Sequence, residues 1–312
     1  MKGAPGAAVD PFPSLVRPRS FTGPDGTLLL TLAGLWGFSF LFIEVALTGV
    51  GPIWVVVGRT GVGAAVLFGV LALRGEGVPR GRGLWPRVAF LGLLTNAVPW
   101  SAAAWGQQFL PSGLVALLMA AVPTFTLVVS VAARLERFTP GRVVGLGLAL
   151  SGVALTVAAD TGEPERVAAI GAVVGATVLY ACGAVYANRR VAGRASPLAV
   201  AAGQVLVAFL LTLPAALLLD PVPDPAAVTL PVMGAVLCLG ALGTGAAYLV
   251  FYTLIERVGA TNTTLVTYLI PLVAVAAGAL FLGERLGYPA VAGGLLILAG
   301  IWVAQRGTRA RG

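Results

Sequence analysis

Two charged side chains, Glu44 and Arg59, lie well inside apolar stretches of this chain. A charge within a membrane-length segment usually faces protein or water and marks a site. Arg59 follows Pro52 by seven residues, about 10 Å along a helix. Glu44 sits about one turn from the end of the preceding segment, so the two could meet near one end. Two readings stay open. As a substrate pair, Arg59 binds a carboxylate and Glu44 takes an amine or a proton. As a structural pair, each neutralises the other and locks the first two helices. Aromatic side chains form a second group. Trp36 matches Tyr180 at an offset of 144 residues, and Trp100 matches Tyr248 at 148. Such rings could line a pseudo-symmetric cavity and stack on an apolar or cationic substrate, or they simply pack. Asn96, Gln107, Gln204, Asn262 and Tyr268 offer neutral hydrogen bonds, and a buried amide in lipid must face protein or a cavity. Pro123 and Pro271 each free a carbonyl one turn back. In transporters such breaks serve substrate and bending; elsewhere they are static kinks.

Other chemistry is poorly supplied. The chain has no histidine, which removes the common metal ligand and near-neutral proton carrier. Cys182 and Cys238 lie inside apolar segments, so neither a structural disulfide nor a metal cluster is expected. Gly145 and Gly147 are not a nucleotide loop, because no strand precedes them. An enzyme would need a paired acid and base, a metal or an activated nucleophile at depth. The expectation is a non-enzyme without cofactor or metal.

The elements that must hold these residues are membrane helices. The chain of 312 residues is 58% hydrophobic and 10% charged, with a mean hydropathy of +0.95. So little charge cannot cover a soluble surface of this size. Ten apolar segments are expected, at 28–47, 53–73, 86–105, 112–133, 141–159, 167–187, 198–219, 229–252, 261–282 and 288–304. Residues 1–27 read as a disordered tail and 306–312 as a second tail, both cytoplasmic; no apolar leader region stands in the first. With the N-terminus inside, 17 of the 20 basic residues face the cytoplasm. Arg166 and Arg285 fall outside and Arg59 lies in a segment. The net charge of +8 is scattered among loops, so it reads as topology rather than nucleic-acid binding.

A segment of the chain also occurs twice. Pro123, Glu136, Gly145 and Gly152 recur 148 residues later as Pro271, Glu284, Gly293 and Gly300. Nine positions are identical between 107–156 and 255–304. Five segments per copy invert the second copy across the membrane, so Glu136 and Glu284 fall on opposite sides. The halves are 28–159 and 167–305, separated near Asp160-Thr161-Gly162. Inverted repeats around a midplane cavity are typical of secondary transporters. Glu136 and Glu284, next to prolines that open helices, read as helix-start residues. The paired glycines permit close helix approach.

These motifs resemble the EamA family of the drug/metabolite transporter superfamily. The resemblance rests on Leu35-Trp36-Gly37-Phe38-Ser39-Phe40, Arg59, Ala121-Val122-Pro123 and Leu135-Glu136-Arg137-Phe138 in the first half. It continues with Gly243-Thr244-Gly245-Ala246-Ala247-Tyr248, Leu269-Ile270-Pro271 and Leu282-Gly283-Glu284-Arg285-Leu286. It covers about 27–305 and implies ten helices in two inverted repeats that move small metabolites, often amino acids, outward. Family members often carry a basic residue near the end of the first segment, where this chain has Glu44. The expected protein is a multi-pass transporter of a bacterial inner membrane, exporting amino acids or related compounds by alternating access. Its partners would be a small-molecule substrate and the bilayer. A lipid-linked flippase and a non-transporting scaffold or sensor are the alternatives.

Overall fold

A computed structural model describes residues 22–309 apart from 82, 137 and 159–162. The expected tail over 1–21, the motif residue Arg137, and the Asp160-Thr161-Gly162 break lie outside the described residues.

Among those residues the secondary structure is entirely helical. Eight helices are long and apolar enough to cross a membrane: α1 Gly23–Leu47, α2 Pro52–Leu73, α3 Leu84–Gln107, α4 Ser112–Ala132, α5 Pro140–Ala158, α6 Pro164–Arg190, α7 Pro197–Leu219 and α8 Leu230–Val258. Two helices with shorter apolar stretches follow, α9 Val266–Phe281 and α10 Tyr288–Arg309, the latter apolar over Tyr288–Ala304. Lipid offers backbone amides no partner, so continuous helix is the state such sequences adopt. Pro52, Pro164 and Pro197 each open a helix, where no amide partner is lost, whereas Pro214 and Pro271 lie inside α7 and α9. Helix α1 begins earlier than its hydrophobic pattern suggests. Asp25 accepts from the backbone amide of Thr22 at 3.1 Å and from its hydroxyl, and this cap carries the helix back to Gly23.

Three departures from regular helix position the site. Helix α3 widens into a π turn at Leu93–Ala97, and α8 does so at Ala241–Ala246. The two turns begin at the same 148-residue offset that relates the repeated motifs. Helix α4 breaks at Ala120–Ala121, just before Pro123, and resumes at Val122. The mirrored kink expected at Pro271 differs: Pro271 is buried inside continuous α9, and the break lies earlier, between a short turn at Ala260–Thr263 and Val266. A proline needs only its own missing amide accommodated, so the surrounding packing decides whether the helix parts.

Helix α1 packs on α8 and α9, α2 on α7 and α8, α3 on α6, and α4 on α6 and α9. Helices α5 and α10 lie against each other, peripheral to the rest. Their contact is backbone on backbone. A β-carbon on Gly145 would lie 2.5 Å from the carbonyl oxygen of Gly300, and one on Gly152 would lie 2.5 Å from that of Gly293. Exchanging the repeat mates turns the first contact into the second.

Candidate functional site

Arg59 projects from the middle of α2 toward the π turn of α8. Its Nε donates to Thr244 Oγ1 at 3.1 Å, and its Nη2 reaches the Gly243 carbonyl at 3.5 Å. Its Cζ lies 3.9 Å from the centre of the Trp100 ring, a cation–π contact. The residue is only 8% exposed. Trp100 Nε1 donates to the Tyr180 hydroxyl at 3.1 Å. The Tyr248 hydroxyl accepts from Asn96 at 3.2 Å and from Gln204 at 3.0 Å. Five helices thus converge at one place: α2, α3 with its π turn, α6, α7 and α8 with its π turn.

The π turns explain why these side chains meet. An i→i+5 turn re-aims the residues after it. Asn96 lies in one turn and Trp100 just beyond it; Thr244 lies in the other and Tyr248 just beyond it. Arg59 and Gln204 each follow the opening proline of their helix by seven residues. Arg59 packs beside the turn in α8 and Gln204 beside the turn in α3: a β-carbon on Gly240 would meet the Arg59 carbonyl at 3.0 Å, and one on Gly92 would meet the Gln204 carbonyl at 2.5 Å.

The structure therefore gathers Arg59, Asn96, Trp100, Tyr180, Gln204 and Tyr248, and separates the remaining candidates. Trp36 packs against Phe251, with ring centres 5.4 Å apart. It joins the cluster only through Phe251, Tyr252 and Tyr248, a run of adjacent rings. Glu44 does not pair with Arg59. Its carboxylate accepts from Gln107 Nε2 at 3.2 Å, and the same amide donates to the Phe40 carbonyl. Arg59 and Glu44 reach the same helix at different depths: Arg59 lies over Trp100, and Glu44 accepts from Gln107, seven residues further along α3, about 10 Å at 1.5 Å per residue. Asn262 donates to the Val258 carbonyl at 2.9 Å, joining the short turn at Ala260–Thr263 to the end of α8. Tyr268 packs against the cluster around Leu118, and its buried hydroxyl has no hydrogen-bond partner among the described residues.

Thr244 and Tyr252 were not singled out by sequence reasoning. Thr244 carried a signal, since it stands 148 residues from Asn96 inside the Gly243-Thr244-Gly245 motif. Glu284 was expected to serve its own following helix. Instead it accepts from the backbone amides of Ser112 and Gly113, at 2.8 and 3.1 Å, and caps α4. Its repeat mate Glu136 is exposed and pairs with Arg142 at 2.8 Å.

Tyr248→Phe tests how far the cluster is a single network. Removing the oxygen strands two buried amide donors, so the variant is expected to lose about 2 kcal/mol of stability. Thermal unfolding in detergent measures it. A loss as small as a surface substitution would mean that water replaces the phenol.

Fold and site together define an all-helical, polytopic membrane protein with a buried cationic cluster among its helices. The EamA-like transporter family model matches residues 26–158 and again 167–305. The chain belongs to that family. It is 28% identical over 291 residues to a protein of Streptantibioticus cattleyicolor named a probable terminal-alkyne amino-acid exporter, covering 91% of this chain and 94% of that one. It is 26% identical to a protein of Escherichia coli named a probable amino-acid metabolite efflux pump, covering 92% and 96%. An uncharacterized transporter of Archaeoglobus fulgidus is 26% identical, over 89% and 97%. A solved structure described only as the crystal structure of a protein superposes with a TM-score of 0.67, at 21% identity, over 94% of this chain and 100% of its own. At that identity the likeness is one of fold.

Proposed function

We propose that this chain is a secondary exporter of small metabolites, amino acids or their derivatives, in a bacterial inner membrane. Its relatives carry names of that kind. The observation that carries the reading is Arg59, a buried cation held by neutral groups between helices of both family matches. A guanidinium in that position suits a substrate carboxylate, with Trp100, Tyr180 and Tyr248 beside the substrate body. The remaining candidates have supporting roles: Gln204 and Asn96 orient Tyr248, and Trp36 backs the aromatic run. Pro123 acts at the break in α4 and Asn262 in the short turn before α9, Pro271 packs inside α9, and Glu44 and Tyr268 line the approach.

The halves, 28–159 and 167–305, form two inverted five-helix repeats, with both termini cytoplasmic. The exchange of Gly145 and Gly300 for Gly293 and Gly152 supports a two-fold relation, as do the matched π turns. Alternating access is supported by the unequal ends of the bundle. Glu284 fastens α4 at one end, whereas Glu136 faces solvent at the other.

Efflux from liposomes loaded with a metabolite panel tests the transport reading, and accessibility labelling tests the topology. Cysteines at positions 136 and 284 are expected to react from opposite sides of the bilayer. Reaction from one side would remove the inverted arrangement. The flippase alternative has one observation in its favour, an apolar groove of about 230 Å³ between α2 and α8, lined by Gly58 and Val236. Lipid scrambling without metabolite efflux would select it.

A further inference from the structure

The hydrogen bonds around Arg59 have a polarity that specifies the charge of the ligand. Among the described residues no carboxylate lies within ion-pair distance of Arg59, and those near the ends of the bundle are engaged elsewhere. Glu44 is held by Gln107, Glu284 by the amides of Ser112 and Gly113, Asp220 by the amide of Ile53, and Asp25 by Thr22 and Arg257. The phenols do not neutralise it either, since tyrosine is uncharged near neutral pH. Their oxygens are already used as acceptors. Tyr248 takes two N–H donors and Tyr180 takes one. Each therefore retains its own hydroxyl hydrogen to give. The cluster has donors to spare and carries one uncompensated positive charge, in a residue more than nine-tenths buried.

A carboxylate only accepts and an ammonium only donates. We infer that this site takes its substrate as a net monoanion: a carboxylic acid whose amine is acylated, otherwise masked or absent. A zwitterionic amino acid leaves the site with its positive charge and adds an ammonium with no carboxylate to receive it. Burying such an unpaired charge is costly. This deepens the carboxylate reading of Arg59 given above and rests on it.

The test is binding to the purified full-length protein by calorimetry, with four probes: N-acetylphenylalanine, phenylalanine, N-acetylphenylalanine amide and phenylethylamine. The acetylated acid is expected to bind on the order of tenfold more tightly than phenylalanine. The amide and the amine are expected to bind more weakly still. The same series built on leucine is expected to keep this order. Arg59→Met should abolish the order, and Arg59→Lys, which keeps the charge, should preserve it at lower affinity. Phenylalanine binding as well as its acetylated form would overturn the charge rule while leaving Arg59 as a carboxylate site. The amide binding as well as the acid would overturn the carboxylate reading itself. Failure of both acetylated acids to bind at 10 mM, on the order of the weakest useful affinity, would also overturn the proposal.

Discussion

Arg59→Met is expected to transport at under about one hundredth of the parental rate and yet to unfold at a higher temperature. Hydrogen bonds to charged groups contribute about 1.5–3 kcal/mol each. Losing two of them to a carboxylate costs about 3 kcal/mol or more, which exceeds a hundredfold. Stability moves the other way. A buried charge without a counter-ion costs several kcal/mol, and an apolar side chain of similar volume relieves that cost. Of the two partners left behind, Thr244 Oγ1 also donates to the Leu239 carbonyl at 3.1 Å, and the Gly243 carbonyl loses only a long contact of 3.5 Å. A gain of about 1–2 kcal/mol is expected. Efflux from loaded liposomes and thermal unfolding of the same preparation measure both sides. The opposite result, retained efflux with lowered stability, would make Arg59 a fastening between α2 and α8 rather than a binding residue.

Gly300→Leu is expected to be the most damaging substitution in the α5–α10 pair. A β-carbon there would sit 2.5 Å from the Ala149 amide nitrogen and 2.5 Å from the Gly145 carbonyl oxygen. Both neighbours are backbone and cannot swing aside. The helices must separate, and helix association in lipid depends on this close approach. Overpacking of this kind costs about 3 kcal/mol or more, and Gly300→Ala is expected to cost part of it. Both variants should keep the ligand preferences of the parent where they survive, since α5 and α10 lie away from Arg59. A Gly300→Leu variant with parental unfolding temperature would show that the pair is not held by its glycines.

Much of this was legible from residue spacing. The 148-residue offset picked out the glycines at the α5–α10 contact and the positions of Trp100 and Tyr248, each just beyond a π turn. Hydrophobic runs located the helices to within a few residues, because in lipid composition alone forces helix. What stayed hidden depended on how far and in which direction side chains reach. Glu44 and Arg59 meet α3 seven residues apart, at Gln107 and Trp100, a difference in depth that segment edges known only to a few residues do not resolve. The π turns were also invisible, since one extra residue in a turn leaves no mark on an all-apolar segment. Without them Thr244 could not be matched to Arg59, nor Gln204 to the turn in α3. The reach of Glu284 to Ser112 was missed for a related reason: a cap supplied by another helix is a fact of packing, not of local sequence.

The bond from Arg59 to Thr244 joins residues 185 positions apart, and that separation bears on how the protein is made. A lone arginine at the centre of an inserting helix costs about 2.5–3.5 kcal/mol. Ribosomes add about 5–20 residues each second. Helix α2 therefore waits roughly 10 to 40 s for its hydrogen-bond partners in α8, although Trp100, whose ring lies under the guanidinium, emerges sooner. During that interval the nascent chain depends on water, the insertion machinery or an early neighbour to hold α2 in the bilayer.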